Sequence, residues 1–142
     1  MQTSARNQFE GTISALKPGA VNDEVEILTA GGVRIVAIVT HESAVSLGLA
    51  VGQRAVALVK ASSPIVVAGD GGMRFSARNR LTGSVARVQV GAVNTEVEID
   101  VADGVRVVAI VTQESASRLG LAVGQPATAI FKASAVIVGV PA

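Results

Sequence analysis

Three short segments, each present twice, hold most of the residues able to do chemistry. They are Ser4-Ala5-Arg6 with Ser76-Ala77-Arg78, Thr40 and Ser43 with Thr112 and Ser115, and Lys60-Ala61-Ser62 with Lys132-Ala133-Ser134. Their polar side chains are rich in hydrogen-bond donors. Arginine offers a planar fork suited to two oxygens of a tetrahedral anion, lysine adds a compact charge, and hydroxyls donate without adding charge. One Arg and one Lys would neutralise a tetrahedral dianion and neutral donors would satisfy its remaining oxygens, which is what burying a charge demands. Thr40 and Ser43 also flank a predicted helix start, where unpaired N–H groups and the helix dipole favour negative charge. Singly, each residue has an ordinary structural reading: Thr40 as an N-cap, Arg6 as a surface residue, Lys60 as the exposed end of a strand. Their joint repetition points to a ligand.

Other chemistries are poorly provided for. The single histidine, His41, is replaced by Gln113 in the second copy, so no repeated histidine acid, base or metal site exists, and His41 reads as a solvated residue at a helix start. Glu24 and Glu26, mirrored by Glu96 and Glu98, lie two apart on one strand face and read as a solvated outer face. The absence of cysteine removes disulfides, thiolate metal sites and thiol nucleophiles together. Gly48 to Gln53 lacks the lysine and the hydroxyl of a phosphate loop. The expectation is a binding protein, with no catalytic residues, no catalytic cofactor and no metal-cation site.

The elements that must position these donors follow from composition and pattern. Of the 142 residues 49% are hydrophobic and 16% charged, which is enough apolar material for a core. Phe9, Phe75 and Phe131 are the only aromatics, and the abundance of Val and Ile favours sheet. A net charge of +1, spread along the chain, gives no field for a polyanion, so an anion site must be local. The start has no apolar signal core and no run approaches the length of a membrane span, so a cytoplasmic location without membrane contact is expected.

The chain repeats itself at an offset of 72 without a gap, and 39 of the 67 pairs between residues 4–70 and 76–142 are identical. The predicted units are 4–68 and 76–140, joined by a linker over 69–75 that includes Gly69-Asp70-Gly71-Gly72. In the first copy, strands are predicted over 8–16, 24–28, 33–40, 54–60 and 65–68, with a short helix opening at Thr40 and ending at Gly48. Five strands with a helix after the third is the order of an OB-type barrel. The predicted fold is all-β: two tandem OB-like five-stranded barrels, each with one short helix. A barrel of about 65 residues buries too little surface to be comfortably stable alone, so self-association is expected.

These residues resemble the Mop family, the molbindins. The resemblance rests on the opening S-A-R-N, a Gly four residues later (Gly11, Gly83), the G-A-V-N turn followed by Glu-Val, V-T-x-E-S before the helix, L-G-L with a following Gly, and the closing K-A-S segment, and it covers nearly the whole chain twice. It implies an oligomer, a homotrimer for two-copy members, that binds molybdate or tungstate where subunits meet. It carries the anion contacts to Ser4, Arg6, Thr40, Ser43, Lys60 and Ala61, and to Ser76, Arg78, Thr112, Ser115, Lys132 and Ala133. It also implies a second class of oxyanion site, placed at the G-A-V-N turns: Ala20, Val21 and Asn22 with Ala92, Val93 and Asn94, chiefly through backbone N–H groups. Nothing is appended to the two copies, which favours molybdenum storage over signalling. Two alternatives stay open: binding of a molybdopterin, for which the chain has few stacking partners, and binding of single-stranded nucleic acid, against which the few aromatics and near-neutral charge argue.

Overall fold

A computed structural model of the chain describes residues 1–69, 71–102 and 104–142; Asp70 of the expected linker lies outside the described residues. The first copy forms β1 (Asn7–Lys17), β2 (Asn22–Thr29), β3 (Arg34–Thr40), helix α1 (His41–Leu47), β4 (Arg54–Val59) and β5 (Ile65–Val67). The second forms β6 (Asn79–Val90), β7 (Asn94–Ala102), β8 (Val105–Thr112), α2 (Gln113–Leu119), β9 (Pro126–Phe131) and β10 (Ile137–Gly139), with a 3-10 turn over Ala133–Ala135 before β10. The expected order of five strands with a helix after the third is present in both.

Local chemistry explains the element ends. Along β2, Val25, Ile27 and Thr29 are buried while Glu24, Glu26 and Leu28 between them are partly exposed, the period of a sheet with one face on the core. The Thr40 side chain accepts from Ser43 N–H to start α1, and Gly48, at φ 64, ends the helix by turning left-handed at little steric cost. Thr112 and Gly120 do the same for α2. In β1 and β6 the strands bulge between Ile13 and Ala15 and between Val85 and Arg87. Just before each bulge, Gly11 and Gly83 let the neighbouring strand approach closely: a Cβ there would lie 2.3 Å from Leu28 O and 1.9 Å from Asp100 O.

The pairing of the strands is not copy by copy. One curled five-stranded sheet has the order β10-β4-β1-β2-β3 and the other β5-β9-β6-β7-β8. Each copy therefore gives its last strand to the other: Val138 pairs with Ala57, and Val66 with Ala129. Each sheet curls so that its two edges approach, β3 towards β10 and β8 towards β5.

Side-chain amides reinforce the exchange. Asn7, 1% exposed, donates from Nδ2 to Val108 O at 2.8 Å and accepts from Val108 N at 2.7 Å. Asn79, also 1% exposed, does the same to Val36 at 2.8 Å in both directions. Val36 and Val108 lie on β3 and β8, the edge strands, so each carboxamide covers one residue's worth of open edge. One apolar core runs through both sheets, from Phe9, Ile13 and Ile35 to Val107 and Phe131.

Candidate functional site

The exchange decides which donors meet. The Ser4-Ala5-Arg6 segment leads into β1, and the Arg6 guanidinium reaches the second copy, donating to Glu96 Oε1 at 2.5 Å and Oε2 at 3.1 Å. Arg78 likewise crosses to the first copy, donating from Nη2 to Glu24 Oε1. The Glu96 hydrogen bond, and then its charge, raises the Arg6 pKa above the ordinary arginine value. The Ala61 carbonyl accepts from Ile110 N at 2.8 Å, two residues before Thr112, and the turn over Ala133–Ala135 packs on β3, which ends at Thr40. Glu96 is itself two residues from Asn94, the strand partner of Thr112. Arg6 and Lys60-Ala61-Ser62 of one copy thus lie by the end of β8, where Thr112 caps α2 through Ser115, and Arg78 and Lys132-Ala133-Ser134 lie by the end of β3, where Thr40 caps α1 through Ser43.

Thr40 Oγ1 accepts from Ser43 N at 3.1 Å and donates to Ser43 Oγ at 2.7 Å; Thr112 and Ser115 repeat this at 3.1 and 2.8 Å. Ser43 Oγ keeps its own proton available for a further acceptor. Ser4, Ser62, Ser76, Ser134, Lys60 and Lys132 are exposed, while Ala61 and Ala133 are buried and Ala5 and Ala77 intermediate. Among the described residues the two lysine ammonium groups make no hydrogen bond or ion pair.

The structure corrects two sequence expectations. Glu24 and Glu96 are not a solvated outer face without partners: they hold Arg78 and Arg6, with side chains only 29% and 21% exposed. Glu26 pairs with Arg34, and Glu98 lies near both Arg87 and Arg106. The charge balance of one Arg and one Lys therefore has to include a glutamate. His41 is not simply solvated, since its Nδ1 lies 3.0 Å from Asp23 Oδ1.

Asn7, Asn79, Glu24 and Glu96 are the site-building residues that sequence reasoning missed. The signal available was the repetition of all four at the 72-residue offset, with polar Asn at the head of an otherwise apolar strand pattern.

The Gly-Ala-Val-Asn turns stand at the same end. Val21 and Val93 are 74% and 75% exposed, and their carbonyls accept from His41 N at 2.8 Å and Gln113 N at 3.0 Å. No hydrogen bond among the described residues is made by the N–H groups of Ala20 or Val21. A cleft of about 870 Å³ bordered by Glu10, Leu28, Arg54 and Pro141 lies elsewhere on the first sheet and includes none of these residues. Among the described residues no group of three or more His, Asp or Glu side chains could hold a metal ion, and no helix is long and apolar enough to cross a membrane.

The two curled sheets, each completed by the other copy's last strand, carry their repeated donors as a mirrored pair. The chain belongs to the TOBE domain family and carries that domain twice, over residues 3–66 and 76–138. It is 46% identical over 141 residues to the molybdenum-pterin-binding protein MopA of Rhodobacter capsulatus, covering 99% of this chain and 53% of that protein. It is 45% identical over 140 residues to the molybdenum transport protein ModE of Herbaspirillum seropedicae, covering 99% and 52%. The chain spans about half the length of these curated relatives. It also superposes with a TM-score of 0.95 and 51% identity on a molybdate-bound crystal structure of the cytoplasmic molybdate-binding protein ModG, over 99% of this chain and all of that one. The expected OB-like tandem fold agrees with that superposition.

Proposed function

We propose that this chain binds molybdate or tungstate for intracellular storage and homeostasis, in the cytoplasm and without catalysis. The observation that carries the reading is the reciprocal placement described above, in a chain that superposes on a molybdate-bound protein along its whole length. Ser4, Ala5, Arg6, Lys60, Ala61 and Ser62 act with Thr112 and Ser115, and Ser76, Ala77, Arg78, Lys132, Ala133 and Ser134 act with Thr40 and Ser43. The arriving dianion takes the guanidinium fork from Glu96 or Glu24, while the lysine swings in as the second charge. The second class of site is placed at the turns 20–22 and 92–94. The sequence units remain 4–68 and 76–140 with a linker over 69–75, each unit lending its last strand to the other, and the assembly is a homotrimer with neither nucleic acid nor membrane as partner.

Calorimetric titration with molybdate, tungstate, sulfate and phosphate, combined with native mass measurement, tests this. Molybdate and tungstate should bind and phosphate, whose P–OH needs an acceptor, should bind poorly. Arg6→Ala with Arg78→Ala should weaken the interface class on the order of 10–100-fold. A folded double variant with unchanged affinity and stoichiometry would move the role to the turns. The name of the Rhodobacter relative keeps a pterin in view. Phe9 and Phe131 are 5% and 2% exposed, which leaves Phe75, at 41%, to stack on such a ring. Fluorescence of oxidised pterin in extracts of the purified protein would favour that second reading.

A further inference from the structure

The two copies differ where their turns enter the second strand: Asp23 and His41 in the first stand where Thr95 and Gln113 are in the second. Asp23 and Thr95 occupy the same register, opposite Val39 and Val111, each directly after its own turn. Both are buried, at 3% and 0% exposure. Asp23 Oδ1 accepts from the turn's Gly19 N at 3.0 Å, and both carboxylate oxygens lie 3.0–3.1 Å from His41 Nδ1. Threonine is one bond shorter, and the second turn is arranged otherwise. Gly91 N donates to Asn94 O at 2.9 Å, and Thr95 Oγ1 is the one buried side-chain polar atom without a partner among the described residues.

We infer that the two turns are unequal anion sites, the first closed by the Asp23 carboxylate and the second, above Thr95, open to a tetrahedral dianion. This rests on the proposed oxyanion function and deepens it. A dianion settling on the N–H groups of the first turn meets a fixed negative charge beneath the same loop, and that carboxylate already engages Gly19 N–H. At the second turn the neutral Thr95 stands in that carboxylate's place. The Thr95 hydroxyl is neutral and makes no hydrogen bond among the described residues, and a buried polar group left unpaired calls for a ligand or a water. Two charges on the ligand against one on Asp23, a turn's width apart near the surface, amount to a difference of about tenfold or more in affinity. Asp23 is thus a residue that sets which of two otherwise matching turns is filled.

The test is calorimetric titration of the full chain with sodium molybdate, using Asp23→Asn, Asp23→Thr and Thr95→Asp. Asp23→Asn keeps an oxygen to accept from Gly19 N–H and removes only the charge. A parallel set in a His41→Gln background takes the imidazole out of the comparison. Both Asp23 variants should raise the number of molybdates bound by filling the first turn, and Thr95→Asp should weaken the turn class about tenfold or more. Exchange of the two residues together should leave the total near that of the parent. Native mass and melting curves establish that the variants are assembled. If the parent binds molybdate and assembled Asp23→Asn and Thr95→Asp both match it in stoichiometry and affinity, the inference is wrong. If the parent binds no molybdate, the functional proposal itself fails.

Discussion

Replacing Asn7 by alanine should cost far more stability than an ordinary polar-to-alanine change. The carboxamide makes two bonds, both to the backbone of Val108, and Asn7 and Val108 are 1% and 7% exposed. Alanine leaves one buried N–H and one buried C=O without partners, at about 1–3 kcal/mol each, so the expected loss is about 2–6 kcal/mol. Asn79→Ala should cost a similar amount at Val36, and the two sites share no partner, so the double variant should lose about 4–12 kcal/mol. That rivals the whole stability of a typical domain, about 5–15 kcal/mol, and the double variant should not fold. Guanidinium unfolding followed by far-ultraviolet circular dichroism, at one fixed protomer concentration, measures this. A loss below about 1 kcal/mol for Asn7→Ala, with an unchanged denaturant slope, would show that water replaces the amide and would refute the reasoning.

Three further outcomes are expected. Gly83→Ala should destabilise by about 1–3 kcal/mol, since its Cβ would meet backbone at Asp100, and Gly11→Ala somewhat less, read from denaturation midpoints. Glu24→Gln with Glu96→Gln should tighten molybdate binding roughly 3–10-fold by freeing Arg78 and Arg6, and a weakened titration would mean that the glutamates help hold the ligand. Asp23 has its pKa lowered, first by the Gly19 N–H bond and also by His41, against the opposing effect of burial. A depressed carboxylate contributes stability above its unfolded value of about 3.9 and loses it as pH falls through the folded value. Melting temperature should therefore fall less steeply on acidification below about pH 4 in Asp23→Asn than in the parent.

The elements were legible in the sequence because their causes are local. Thr40 caps a backbone N–H three residues on, Gly48 must take a positive φ, and Val25, Ile27 and Thr29 alternate with Glu24, Glu26 and Leu28 at the two-residue period of a strand. The 72-residue repeat made the second copy legible from the first, and the density of donors in the repeated segments marked a site for an anion. The partners of those donors were not legible. Ile65-Val66 and Ile137-Val138 are the same two residues, so no pattern tells which fourth strand each will join, and the choice falls to the path of the preceding turn over the opposite sheet edge. Glu24 and Glu96 do leave the core face of their strands, as alternation requires, yet the space they enter holds an arginine of the other copy. Asn7 looks like a polar residue misplaced on an apolar face until β8 arrives beside it. These contacts join residues 54, 90 and 101 positions apart. Sequence periodicity governs which way a side chain faces, but only the packing of two curled sheets against each other's open edges determines what it meets there.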